Sequence, residues 1–330
     1  MEKIELVLNT FKGRNEDYPI FSLWKHFPYD DRDPVQLADA HVKFFERHSF
    51  DLMKISPHGR YPVVDYGCKV SKEYDSFTGS TRCDECCVKN IFDWETIEPV
   101  NVNEGEFGEQ IKAVELINKK LESLPKMMTI FSPLMVASKM DPDLVNNIRN
   151  HPKTMKDGLY VLFEVMLEFA LSSIDSGAEG IFLASQHLRE TQLQWEEIDN
   201  YEIFFLKKII EKIKSKSEFT VLHIHGENIF FKQVTEKIKT DAFNWHDQLT
   251  WPDLEEASKI TKKGLLAGID ETKALVEGDE DRIKQNILDS IKISQKNNNR
   301  IIISPGCVIP ITVLDESLDI VSSTIKKVRR

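Results

Sequence analysis

Short apolar runs that alternate with amphipathic stretches along the whole chain constrain this sequence more than any other feature. Eight runs are legible: Pro19–Trp24, Phe50–Ser56, Met127–Ser132, Glu179–Ser185, Phe219–His225, Asp241–Trp245, Gly264–Asp270 and Arg300–Pro305. They are rich in β-branched and aromatic residues, which predicts parallel strands buried on both faces. Apolar residues recur at helical spacing in Pro34–Arg47, Gly108–Leu124, Leu159–Ser176, Glu202–Lys214, Glu227–Lys239, Asp253–Lys263, Asp281–Lys296 and Ser317–Val328. Strands that alternate with helices require a parallel sheet with crossover connections. Eight such units predict an α/β fold of the closed (β/α)8 TIM-type barrel kind, preceded by an N-terminal helix. No Gly-rich phosphate loop follows the first run, which argues against a dinucleotide-binding sheet. The longest gap, roughly residues 57–126, predicts an enlarged loop after the second strand. No linker or composition break interrupts the pattern, so residues 1–330 read as a single domain.

Composition narrows the function. Lys and Arg number 43 against 54 Asp and Glu, a net charge of −11. Such a surface repels nucleic-acid phosphates and anionic lipid. No apolar run approaches the roughly 20 residues that span a bilayer, and the first residues lack a signal-peptide pattern. The expected location is cytoplasmic. Five Cys in 330 residues do not make a disulfide scaffold.

The positions of the reactive side chains carry the functional reading. Six of nine histidines fall at or just past an apolar run: His26, His58, His187, His223, His225 and His246. Trp24, Gln186, Glu227, Asn244, Asp247, Asp270, Ser304 and Cys307 join them there. In a (β/α)8 barrel the carboxyl ends of the strands build the site. Residues two apart on a strand point the same way, so His223 and His225 can aim two imidazoles into one space. Cys307 follows the eighth run, beside a Gly306 that would permit an unusual backbone angle. Two imidazoles and a thiolate make a zinc set with a fourth position left for substrate. The same residues also read as a buried histidine, a substrate contact and a small apolar thiol, and the sequence leaves both open. Asp247 could orient an imidazole or satisfy loop amides, and Asp270 could bind substrate or cap the next helix. Cys83, Cys86 and Cys87, with Cys68 nearby, could hold a structural metal, although no second CxxC pair is present.

The chain resembles the uroporphyrinogen decarboxylase superfamily, which includes that decarboxylase and the methylcobalamin:coenzyme M methyltransferases. The resemblance runs from about Pro19 to about Pro310. Its motifs are Pro19–Trp24, Pro133–Ser138, Ser176–Ile181, His223–Gly226, Gly268–Asp270 and Gly306–Cys307. It implies a (β/α)8 barrel, in agreement with the count of apolar runs. The decarboxylase follows its first strand with RQAGRY, whose arginines hold substrate carboxylates. Here Trp24–Tyr29 reads WKHFPY. The decarboxylase's Asp after the second strand gives way around Pro57 and His58. Its Tyr aligns with Lys139 and its late His with Cys307. A GRY string at Gly59–Tyr61 follows the wrong strand.

The methyltransferase branch is nearer at its motif residues. Its zinc ligands are a His-x-Cys pair and a late Cys. His223 and Cys307 match the first and last of these, and His225 stands where the middle Cys would be. The resemblance therefore implies a zinc centre of His223, His225 and Cys307, with a methyl group moving between a corrinoid and a thiol or similar acceptor. His246, Asp247 and His58 are the expected catalytic groups. Trp24, His26, Lys139, Gln186, His187, Glu227, Asn244 and Asp270 are the expected substrate contacts. No corrinoid module is visible, so methylcobalamin or a corrinoid protein is the expected co-substrate, with a second copy of the chain as a further partner to look for. The alternative is a metal-free decarboxylase of a tetrapyrrole or another carboxylate, with charge from Lys25, Arg60 and Lys139. A third reading is a barrel that binds a tetrapyrrole or corrinoid without turnover.

Overall fold

The computed structural model describes residues 2–15 and 19–329. Its strands are β1 (Met53–Ile55), β2 (Lys69–Tyr74), β3 (Thr81–Glu85), β4 (Lys126–Phe131), β5 (Gly180–Ser185), β6 (Phe219–Ile224), β7 (Ala242–Trp245), β8 (Gly264–Ile269) and β9 (Ile301–Pro305). Seven of them form one curled parallel sheet in the order β1-β4-β5-β6-β7-β8-β9. Every residue of β4 to β9 is buried, as uninterrupted apolar runs demand when helices cover the outer face.

Seven paired strands stand where eight were expected. The first run, Pro19–Trp24, is extended but joins the sheet through a single parallel bridge, Phe21 to Ile303. Ser22 N donates to Ile303 O at 3.0 Å and Ile303 N to Ile20 O at 2.9 Å. Toward β1, Asp51 N donates to Phe21 O at 2.9 Å and Ser22 Oγ to Leu52 O at 2.7 Å. The Asp51 carboxylate itself takes Phe21 N at 2.9 Å, so a side chain replaces the next rung of a ladder. The run thus lies between the two edges of the curled sheet without becoming a regular strand.

The insertion between β1 and β4 is not all loop. It contains the antiparallel hairpin β2–β3, which the sequence reading did not foresee. Helices cover the outside of the sheet at the expected places. The helix Pro34–His48 has Pro at its start and Asp33 as its cap, accepting from Val35 N and Gln36 N at 2.9 Å each. Those are the amides that no helical carbonyl can reach. The expected N-terminal helix spans Lys3–Phe11. Its Phe11 ring packs edge-on against Phe219 with centroids 5.5 Å apart, at the start of β6. A Cβ on Gly264 would come within 2.4 Å of that Phe11 ring, so β8 needs glycine there. The opposite, carboxyl ends of the strands stay open and carry the polar residues.

Candidate metal centre and adjoining cavity

Register assembles the site. Parallel pairing sets His223 of β6 beside Asn244 of β7, so both side chains point the same way. His223 Nδ1 lies 2.6 Å from Asn244 Oδ1. Asn244 Nδ2 donates to Leu266 O at 2.8 Å and to Pro305 O at 3.0 Å. The amide is thereby oriented with its oxygen toward the imidazole, and His223 Nδ1 must carry the proton. The lone pair of Nε2 is then left free to face Cys307 Sγ, 3.8 Å away. Burial also lowers the His223 pKa, which favours the neutral ring.

His225, two residues on, brings Nδ1 to 3.6 Å from Cys307 Sγ. His246, one residue past β7, brings Nε2 to 3.2 Å from His225 Nδ1. Among the described residues, His223, His225, His246 and Cys307 form the one group whose donor atoms converge, all within 4.8 Å of one another. A tetrahedral ion with bonds of about 2.0–2.3 Å needs donor atoms about 3.3–3.8 Å apart. The separations of 3.2, 3.6 and 3.8 Å lie within about 0.1 Å of that range, and the donor set of imidazoles and a thiol suits zinc. The residues therefore fit such an ion. They also place His246, expected as a catalytic group, among the donors.

Glu271 stands behind this group. It is buried, and Gly306 N donates to its Oε2 at 3.1 Å. Its Oε1 lies 3.6 Å from His246 Nδ1, an ion-pair distance too long for a hydrogen bond. Burial would raise the Cys307 thiol, but the charge on His246 and polar contact with His223 and His225 hold it well below the ordinary range. Burial would lower His246, but Cys307 and Glu271 raise it to about 10. Without an ion, then, the group rests as a thiolate beside an imidazolium. Gly306 was expected to adopt an unusual backbone angle, yet its φ is not positive. Its reason is close approach: a Cβ there would sit 2.6 Å from Trp245 O and 2.8 Å from His246 Cα.

The centre forms one wall of a cavity of roughly 170 Å³. Trp24, His26, Lys139 and Gln186 line it together with His223, His225 and Cys307. Three cationic residues, Lys54, Arg60 and Lys139, face it, and none of its described lining residues is Asp or Glu. Lys54 is buried between aromatic rings, its Nζ 4.8 Å from the Phe182 centroid and 5.8 Å from that of Trp24. Burial lowers both Lys54 and Lys139 to about 7. Burial likewise lowers His26 to about 4, so its ring is neutral.

Other expected site residues lie elsewhere. His58 is buried behind the wall, with Nδ1 3.1 Å from Glu106 Oε1 and Nε2 3.4 Å from Thr81 Oγ1. Asp247 is buried and takes Gln248 Nε2 at 2.7 Å; burial and Glu271 raise its pKa to about 8. Asp270 accepts from Lys273 N at 2.9 Å and from Thr272, closing the turn that precedes the helix Ala274–Glu277; it neither caps that helix nor lines the cavity. Glu227 is exposed, because the chain turns outward at Gly226, whose φ is 100°. His187 faces a separate depression with Leu144 and Arg189. Ser304 is buried and donates to Pro305 O at 3.3 Å. Lys25 pairs with Asp315 at 3.5 Å and does not line the cavity. The sequence reading missed Lys54 and Glu271. A lone Lys inside the apolar run Phe50–Ser56 was the available signal for the first, and Glu271 follows directly on Asp270.

A curled parallel sheet with an imidazole–thiol cluster and a cavity at its carboxyl ends defines a TIM-barrel-like class with one composite site. Residues 24–328 match the family described as uroporphyrinogen decarboxylase (URO-D), and the chain belongs to that family. It is 20% identical over 223 residues to the methylcobamide:CoM methyltransferase MtbA of Methanosarcina acetivorans, covering 67% of this chain and 63% of that one. It is 21% identical over 209 residues to the protein of the same name from Methanosarcina mazei, covering 62% and 61%. The chain thus spans less than two thirds of the length of these relatives. Its backbone superposes on a solved methyltransferase from Methanosarcina mazei with a TM-score of 0.83 at 15% identity, over 99% of both chains. A B12-independent methionine synthase from a Shewanella species gives 0.59 at 12% identity, over 94% of this chain and 97% of the other. Those two likenesses speak to fold. The family model carries the decarboxylase name, and the two curated relatives carry the methyltransferase name.

Proposed function

We propose that residues 1–330 form one barrel, closed by the run Pro19–Trp24, that moves a methyl group between a corrinoid and a thiol-type acceptor at a zinc-type centre. One observation carries the reading: the donor atoms of His223, His225, His246 and Cys307 converge within 4.8 Å at the wall of a cavity. Curated relatives named as methylcobamide:CoM methyltransferases support it.

The ion, when bound, supplies Lewis acidity that favours the thiolate form of an acceptor. The chain's own residues do the rest. Asn244 fixes the tautomer of His223 and so keeps Nε2 available as a donor. Cys307 contributes a thiolate without first having to lose a proton. Lys54, Arg60 and Lys139 give the cavity a positive field in a chain of net charge −11, which suits an anionic acceptor. Trp24 and Phe182 shield Lys54 from water and strengthen that field. Glu271, 3.6 Å from His246 Nδ1, favours a proton at that nitrogen and so leaves Nε2 to face the other donors.

The test is metal analysis of the purified protein combined with methyl transfer from methylcobalamin to small thiols. Stoichiometric zinc and turnover, both lost in His225→Ala, are expected. A protein that binds no metal and leaves methylcobalamin intact would sink the reading.

The same three cations favour a second reading, metal-free decarboxylation of a carboxylate substrate. Conversion of uroporphyrinogen to coproporphyrinogen by metal-stripped protein would establish it, and no turnover with excess enzyme would remove it.

A further inference from the structure

The insertion between β1 and β4 carries four of the chain's five cysteines, and the cluster at Cys307 uses none of them. Cys68 leads into β2, Cys83 lies within β3, and Cys86 and Cys87 follow it. The hairpin folds these positions back onto one another. Cys68 Sγ donates to Cys87 Sγ at 3.0 Å, and the Cys87 amide donates to Cys68 Sγ at 3.2 Å. Cys83 lies close enough to Cys68 for each to shift the other's thiol. Cys86 turns aside, toward Lys139 O at 3.8 Å. Four sulfurs around one ion would stand about 3.8 Å apart about a shared centre. Among the described residues these sulfurs form no such group. What they form is a contact pair, one member buried and the other half-exposed.

We propose that Cys68 and Cys87 are a thiol–disulfide exchange site, which closes reversibly to a disulfide at the base of the hairpin that walls the cavity. The oxidant is a low-molecular-weight disulfide. Cys87, the accessible member, attacks one of its sulfurs, forms a mixed disulfide and expels one thiolate. Cys68 gives its proton to the expelled thiolate, attacks the Cys87 sulfur and releases the second small thiolate, which takes up the proton that Cys87 lost. Two protein thiols lose two electrons, and one small disulfide becomes two thiols.

The surroundings suit these roles. A hydrogen bond from Cys68, then the amides of Cys87 and Val88, lower the Cys87 thiol against the effect of burial. Cys68 is held up at about 11; the closeness of Cys83 lowers it, but donation to Cys87 and burial outweigh that. One thiol is therefore poised to attack and the other to resolve. The hairpin's Ser80 and Thr81 line the cavity, and Thr81 O accepts from Arg60 Nε at 2.9 Å. A covalent tie across the hairpin's base would fix that wall.

The experiment treats the full chain, reduced and zinc-loaded, with oxidised glutathione under native conditions. Alkylation in denaturant and peptide mass mapping follow. Free thiols are expected to fall from five to three, with Cys68 linked to Cys87, and dithiothreitol should restore all five. Cys87→Ser should keep its four remaining thiols free, whereas Cys83→Ala should still form the link. Any of four results would overturn the proposal: no thiol lost, a different pair linked, a glutathione adduct on Cys87 that Cys68 never resolves, or a second zinc ion per chain that thiol reagents release.

Discussion

Replacing Asn244 with Ala tests how the centre is held. The substitution removes the oxygen that accepts from His223 Nδ1 at 2.6 Å and the amide that donates to Leu266 O and Pro305 O. Two buried carbonyls lose a donor. A carbonyl left without any donor costs about 1–3 kcal/mol, and Pro305 O keeps Ser304 Oγ at 3.3 Å, so about 1–3 kcal/mol of stability is at stake. A domain with about 5–15 kcal/mol to spare stays folded in the cold under that load. The effect on the centre is separate. Without Asn244 the proton on His223 can move to Nε2 and block the donor atom. Loss of such a supporting partner weakens metal binding about 10–100-fold, or about 1.4–2.7 kcal/mol. Chelator competition for zinc, run in the cold on protein shown folded by circular dichroism, reads this directly. Asp270→Asn is the control: it keeps an oxygen that can accept in the turn at Thr272 and Lys273, costs little stability, and should leave zinc affinity unchanged. Asn244→Ala that binds zinc as tightly as the parent, while His223→Ala does not bind, would refute the tautomer argument.

Cys307→Ala should reduce zinc from stoichiometric to trace, measured by plasma mass spectrometry; retained zinc would mean that the ion sits elsewhere. Lys54 is lowered to about 7 in the fold from an ordinary 10.5, so the unfolded chain holds a proton that the folded chain gives up between those values. Stability should therefore rise with pH from about 7 to about 10.5, and the penalty should be full below pH 7. Lys139 is lowered to the same range and contributes to the same rise, so Lys54→Met should reduce that slope by its own share and add a few kcal/mol at or below neutral pH, as denaturant midpoints across the range would show. An unchanged slope would mean that Lys54 is not the desolvated group. The same variant should weaken binding of anionic thiols more than neutral ones, measured by calorimetry.

Where burial is continuous, the fold was legible in the sequence. β4 to β9 are buried throughout and mostly apolar, and length and composition marked them. Pro19–Trp24 looks the same in sequence but is not a regular strand, because Asp51, thirty residues away, takes the Phe21 amide. No local pattern reports such a contact. The hairpin β2–β3 was hidden for the opposite reason: most of its residues are exposed and polar, so it carries no apolar signature. In the site, His223 and His225 follow from the two-residue repeat of a strand. Their link to Asn244 depends on the register of β6 against β7, which sequence does not give. Lys54 hid within an apolar run because its charge is tolerated only by a cavity that three dimensions reveal.

His246 poses the sharpest remaining question, and proton counting answers it. A metal-binding imidazole must be neutral at the donor nitrogen. Yet in the free protein the thiolate of Cys307 and the carboxylate of Glu271 raise His246 to about 10. Cys307 has already lost its proton, and His223 and His26 are neutral. Near neutral pH, zinc binding therefore releases about one proton if His246 joins the donor set and about none if it stays outside. Calorimetry in buffers of different ionisation enthalpy measures that number. His246→Ala should abolish the release. In Glu271→Gln the carboxylate is gone while the Gly306 contact can remain, and His246 should titrate about 1–3 units lower. Proton release in that variant should begin to fall at a correspondingly lower pH. Release of one proton that persists in His246→Ala would remove His246 from the centre and leave it an imidazolium beside Glu271.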